Sequence, residues 1–113
     1  MYDIASFSDE MTSEVDLNAL QENAQKATNL LKVMANEWRL LILCQLATAE
    51  HSVGDLESIL GISQSALSQH LAVLRREKLV RTRRDAQTIY YSLDSDDAKA
   101  LMSTLYDRFC ASD

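Results

Sequence analysis

The sequence predicts a mainly α domain carrying one small β-hairpin, and three observations predict it. The 113 residues include no proline and only two glycines, which favours helices joined by few sharp turns. Apolar residues recur at helical spacing in five stretches separated by short polar breaks. Between the fourth and fifth stretches the spacing changes to alternation, over residues 79–93. Apolar residues make up 47% of the chain, enough for one domain around one core.

Residues 1–12 have neither a helical nor a strand period and are expected to form a flexible N-terminal tail. A first helix is expected from about Ser13. Leu17, Leu20, Ala24, Ala27, Leu30, Leu31 and Met34 keep one apolar stripe along it, opposite Glu22, Gln25, Lys26 and Asn29. Asn36 can cap a second helix, where Trp38, Leu40, Leu41, Ile42, Leu43 and Leu46 are apolar almost all round. That is the pattern of a central buried helix.

Ser52, with Asp55 three residues on, is a capping box opening a third helix through Val53, Leu56, Ile59 and Leu60. Gly61 fits the left-handed position that ends it, and Ser63 can cap a fourth. In the fourth helix Leu67, Leu71 and Leu74 fall at i, i+4, i+7 as one buried stripe. The other face carries Gln64, Ser65, Ser68 and Gln69. These side chains are short, polar and uncharged; they let a helix backbone approach base edges closely and hydrogen-bond them.

Strands are expected over 79–84 and 87–93, with the hairpin tip at Asp85-Ala86. Ile89, Tyr91 and Leu93 then face one way and Thr88, Tyr90 and Ser92 the other. Asp94 and Ser95 can cap a final helix with Asp96 and Asp97 in its first turn, where the dipole favours anions. Ala98, Leu101, Met102, Leu105 and Phe109 continue its apolar face to Cys110.

Two short helices joined by a three-residue turn, the second with a small polar face, make a helix-turn-helix, and a basic hairpin directly after it makes a wing. The expected architecture is therefore a winged helix-turn-helix of order α-α-α-α-β-β-α, with residues 13–113 as a single DNA-binding domain. The first and last helices carry apolar stripes that a small core cannot all use, so a homodimer is expected. Two-fold symmetry would set the recognition helices about 34 Å apart on a palindromic operator of double-stranded DNA.

Net charge is −6, yet six of the eleven Lys and Arg residues lie between Arg75 and Arg84. A local cationic ridge on an acidic body can bind a phosphate backbone while the rest resists non-specific attachment. Expected DNA contacts are Gln64, Ser65, Ser68 and Gln69 in the major groove, and Arg81, Arg83 and Arg84 from the wing. His70 flanks the recognition face as a spacer or phosphate contact, and Arg75, Arg76 and Lys78 rank below the wing arginines.

No apolar run is long enough to cross a membrane and no signal pattern opens the chain, so a cytoplasmic protein without membrane contact is expected. No Ser/His/Asp set, phosphate loop or cofactor motif appears. Neither an enzyme nor a bound cofactor is expected. The two cysteines, Cys44 and Cys110, stand far apart with no Cys/His group at zinc spacing. Taken alone, Cys44 reads as a small buried hydrophobe. Cys110, near Ala111, Ser112 and Asp113, reads as a more exposed thiol.

The segment LGISQSALSQHLAVLRREKLV, the downstream IYYSL and the earlier NEWRLLIL resemble the ArsR/SmtB family of winged-helix repressors, over roughly residues 16–110. The resemblance implies a homodimeric repressor that leaves its operator when an inducer binds. One common metal motif of that family, ELCVCDL, aligns with Glu50–Leu56. Both cysteine positions are replaced there, by Ser52 and Gly54, which cannot supply thiolate ligands. The other common site needs Asp and His ligands on the last helix, which has no histidine, so no metal site is expected. The placing of Cys44 and Cys110 resembles the persulfide-sensing branch of the family. That resemblance implies that a disulfide or short polysulfide joining the two cysteines releases DNA and turns on sulfide-detoxifying genes, with a persulfide or polysulfide as inducer; the alternatives are a repressor of the same family that answers to a metal or another ligand, and a thiol repressor that senses oxidants in general.

Overall fold

A computed structural model describes residues 16–110. The tail expected over residues 1–12 and the helix start expected at Ser13 lie outside the described residues. Five helices and three short strands follow: α1 (Leu17–Met34), α2 (Glu37–Thr48), β1 (His51–Ser52), α3 (Val53–Leu60), α4 (Gln64–Arg76), β2 (Val80–Asp85), β3 (Thr88–Leu93) and α5 (Asp96–Phe109). The chain divides into two compact units, Met1–Leu31 and Lys32–Asp113, with the division inside α1. In the first unit Asp16 accepts the Asn18 N–H at 3.0 Å, and Leu17 and Leu31 are exposed.

In the second unit each helix begins where the sequence offers an oxygen. Asn36 accepts the Arg39 N–H at 3.1 Å and Ser95 the Ala98 N–H at 3.1 Å. Ser52 and Asp55 form both halves of the capping box, at 3.1 Å and 3.2 Å. Each cap satisfies a backbone donor that the helix leaves without a partner. Gly61 ends α3 in the left-handed conformation (φ 68°), and its N–H bonds the Glu57 carbonyl at 2.8 Å.

The core gathers Ile42, Leu43 and Leu46 of α2, Leu56 of α3, the Leu67–Leu71–Leu74 stripe of α4, Val80 and Leu93 of the sheet, and Met102 of α5. Six of these, Ile42, Leu43, Leu56, Leu67, Leu71 and Leu74, are fully buried. Each contributes about 1.5–3 kcal/mol relative to an exposed side chain. The expected all-round burial of α2 is corrected: Trp38 is 38% and Leu41 37% exposed, because the helix packs on α3, α4, α5 and β3 from one side only. Ile59, one of the apolar residues at helical spacing in α3, is exposed as well.

The sheet has one strand more than the sequence predicts, in the order β1-β3-β2 and antiparallel throughout. His51 pairs with Tyr91 and Ser52 with Tyr90, making a two-residue strand too short to show an alternating pattern. The hairpin tip is corrected by one residue. Arg84 pairs with Ile89 and Asp85 with Thr88, leaving Ala86 and Gln87 as the turn. Ala86 takes a left-handed φ of 56°, the conformation that glycine adopts without steric cost. Along β3 Leu93 is buried, while Ile89, on the same side by alternation, is exposed at the far end of the hairpin.

Candidate functional site

Two places in the second unit carry the chemistry: the exposed face of α4 with the neighbouring wing, and a groove between α2 and α5. Ser63 starts α4 by accepting the Ala66 N–H at 3.2 Å. Its leucine stripe is anchored in the core, so Gln64, Ser65, Ser68 and Gln69 are presented together on the exposed side. His70 is half-buried. Desolvation, and secondarily the Arg39 guanidinium, push its pKa below the ordinary imidazole value, so at neutral pH it is uncharged. His70 therefore stands beside the polar face as a neutral hydrogen-bonding group and not as a cation.

Helix α4 ends in a Schellman motif. The Leu79 N–H bonds the Leu74 carbonyl at 2.9 Å and the Lys78 N–H the Arg75 carbonyl at 3.0 Å, while Lys78 itself is left-handed (φ 64°). The buried side chains of Leu74 and Leu79 accompany the motif, which turns the chain directly into β2.

The six cations of the ridge are not equivalent. Arg81 donates to Asp94 at 3.1 Å, Arg76 lies 3.4 Å from Glu77, and Arg83 is held by Glu50. Among the described residues, Arg75, Lys78 and Arg84 have no carboxylate within ion-pair distance. Arg75 and Arg76 also line a polar recess beside Ser68, Ala72 and Tyr91, which places them against the recognition face. Sequence order ranks the wing arginines first because it shows where charge lies. It cannot show that Glu50, thirty-three residues before Arg83, shares its surface.

The second place is an apolar groove of about 540 Å³ whose lining includes Leu40, Leu41, Cys44, Met102, Tyr106 and Cys110. Both cysteines are free thiols, Cys44 half-buried and Cys110 exposed. Burial raises the Cys44 pKa above the ordinary thiol value, and the proximity of Cys110 raises it further. Cys44 and Cys110, sixty-six residues apart in sequence, thus line one groove where α5 packs on α2. The groove thus carries one sheltered and one exposed thiol.

Among the described residues no group of three or more His, Cys, Asp or Glu side chains is placed to hold a metal ion, and no helix is long and apolar enough to cross a membrane.

A helix-turn-helix followed by a cationic antiparallel wing defines a winged-helix, DNA-binding transcriptional regulator, not an enzyme. The chain belongs to the ArsR family: the family model described as "Bacterial regulatory protein, arsR family" matches residues 36–82, and full-length relatives agree. It is 53% identical over 96 residues to the transcriptional activator HlyU of Vibrio cholerae, covering 85% of this chain and 89% of that protein. It is 46% identical over 98 residues to the biofilm growth-associated repressor of Agrobacterium fabrum, covering 87% and 84% respectively. The solved structure of reduced HlyU from Vibrio cholerae superposes with a TM-score of 0.81 at 54% identity, covering 84% of this chain and 100% of that one.

Proposed function

We propose that the chain is a homodimeric, dithiol-based repressor. It holds a palindromic operator while Cys44 and Cys110 are free thiols, and releases it when a persulfide or polysulfide links them, derepressing genes of sulfide detoxification. The observation that carries this reading is the meeting of both cysteines in one groove between α2 and α5. The exposed Leu17 and Leu31 of α1, and separately the exposed Tyr106 and Phe109 of α5, support dimerisation through these helices.

The chemistry balances without an external oxidant. The Cys110 thiolate attacks the outer sulfur of a persulfide R–S–SH, and the thiol R–SH leaves. The Cys44 thiolate then attacks the Cys110 sulfur, a disulfide forms, and hydrosulfide departs. The two cysteine sulfurs lose two electrons and the sulfane sulfur gains them. A second transfer to Cys110 before closure leaves a trisulfide, again with one hydrosulfide expelled. A longer bridge spans a pair held too far apart for a disulfide, whose Cβ atoms must lie about 4 Å from each other. Closure ties α5 to α2. If α5 helps shape the dimer, the bridge selects one spacing of the recognition helices. Moving from mostly bound to mostly free requires a difference of about 5.5 kcal/mol between the two states.

The test is release of DNA carrying the chain's own upstream region, under anaerobic persulfide treatment. Cys44→Ser and Cys110→Ser are each expected to bind that DNA as the unsubstituted protein does and to remain bound after treatment. Full release from either variant would exclude a two-thiol switch.

A further inference from the structure

A carboxylate from outside the hairpin occupies one of the wing's arginines. Glu50 stands just before β1, and Ser52, Tyr90 and Arg83 lie in one row across the three-stranded sheet: Ser52 pairs with Tyr90, and Tyr90 with Arg83. Glu50 precedes Ser52 by two residues and so shares its face of the sheet, the face of Tyr90 and Arg83. From there it spans the central strand. The Arg83 Nε donates to Glu50 Oε1 at 3.0 Å and Oε2 at 2.9 Å, and Nη2 donates to Oε1. The guanidinium carbon lies 4.6 Å from the centre of the Tyr90 ring, and Asp85 Oδ2 lies 3.9 Å from Nη1. The pair holds the Glu50 carboxyl below the usual carboxylate range and raises Arg83, so both are charged throughout the neutral range.

A carboxylate gripped by a guanidinium fork presents the same charge and paired oxygens as a DNA phosphate. The Arg83 side chain is 53% exposed and that of Glu50 38%, so solvent and an incoming backbone reach the pair. At this exposure the pair is screened by salt and open to competition from an incoming polyanion. We propose that Glu50 is an internal competitor for Arg83, a phosphate mimic that limits the affinity of the wing for DNA. Binding exchanges the Glu50 carboxylate for a backbone phosphate while Tyr90 keeps the guanidinium aimed. Because Arg83 is already occupied in the free protein, non-specific duplex gains little from it. A site where α4 fits closely holds the wing in place long enough for the exchange. This inference rests on DNA binding by the wing, not on the dithiol switch.

The experiment measures binding of a mixed-sequence DNA duplex by fluorescence anisotropy across a potassium chloride series, for the unsubstituted protein, Glu50→Gln, Arg83→Gln and the double variant. Glu50→Gln is expected to tighten binding by about two- to fivefold at low salt and to steepen the log–log salt slope by about 0.9, the increment for one added phosphate contact. In the Arg83→Gln background the same change is expected to leave the slope where it was. Equal tightening in both backgrounds would reduce Glu50 to a general negative charge and overturn the proposal. Weaker binding by Glu50→Gln with an unchanged slope would overturn it too, making the pair a structural tie. A salt-independent affinity in the unsubstituted protein would instead remove DNA binding by the ridge, and the inference with it.

Discussion

Raising pH tests the asymmetry of the two thiols. Cys44 is half-buried on α2, and both desolvation and Cys110 raise its pKa above the ordinary thiol value. Only the thiolate is nucleophilic, so the alkylation rate of Cys44 follows its thiolate fraction. A thiol with an ordinary pKa of about 8.5 gains about threefold in thiolate between pH 8 and pH 9, because it is already levelling off. Cys44 is expected to gain more over that interval, toward the tenfold limit, with no plateau by pH 9. Removing Cys110 removes the smaller of the two causes, so in Cys110→Ser the curve for Cys44 is expected to move slightly toward lower pH without losing its shape. The assay is anaerobic iodoacetamide labelling of the reduced protein, quenched at intervals and read peptide by peptide by mass spectrometry. A Cys44 rate that levels off below pH 8 would show a stabilised thiolate. The order of attack, Cys110 first and Cys44 closing, would then have to be reversed.

Further outcomes follow from the same structure. Ala86→Gly relieves a left-handed alanine at the hairpin tip and is expected to stabilise the domain by about 1 kcal/mol, raising the melting temperature by about 4–8 °C in a thermal scan. Leu71→Ala empties a site only 1% exposed beneath the recognition face and is expected to cost about 2–5 kcal/mol in urea unfolding. Among single arginine-to-alanine variants, Arg84→Ala is expected to flatten the salt slope of DNA binding more than Arg81→Ala, since Asp94 already engages Arg81. His70→Gln is expected to leave that slope unchanged at pH 7.5, because the imidazole it replaces carries no charge there.

Local signals in the sequence predict the local structure well. The oxygens of Asn36, Ser52, Ser63 and Ser95 each cap the helix they precede, and Gly61 takes the left-handed conformation that ends α3. Such interactions span three or four residues, so spacing alone exposes them. The leucine stripe of α4 is equally legible, because a 3.6-residue period and burial of one face are the same fact.

What the sequence hides is long-range. Strand β1 is two residues long and exists only through its pairing with β3. Nothing near His51 announces that pairing. The Glu50–Arg83 ion pair depends on the same third strand, so no local signal in the sequence marks Arg83 as occupied. Likewise, Lys78 in a left-handed cap carries no glycine signal, and the even hydrophobicity of α2 conceals that Trp38 and Leu41 face outward. The meeting of Cys44 and Cys110 is a property of α5 packing on α2. From the residues alone each cysteine reads separately, and only the family resemblance pairs them.

The most direct test of the dithiol account is the mass of the fully reduced protein after anaerobic treatment with a persulfide donor, followed by digestion without reductant. The account predicts a single intramolecular cross-link joining the Cys44 peptide to the Cys110 peptide, as a disulfide or with added sulfur atoms, appearing in step with DNA release. Release of DNA while both cysteines remain freely alkylated would contradict it.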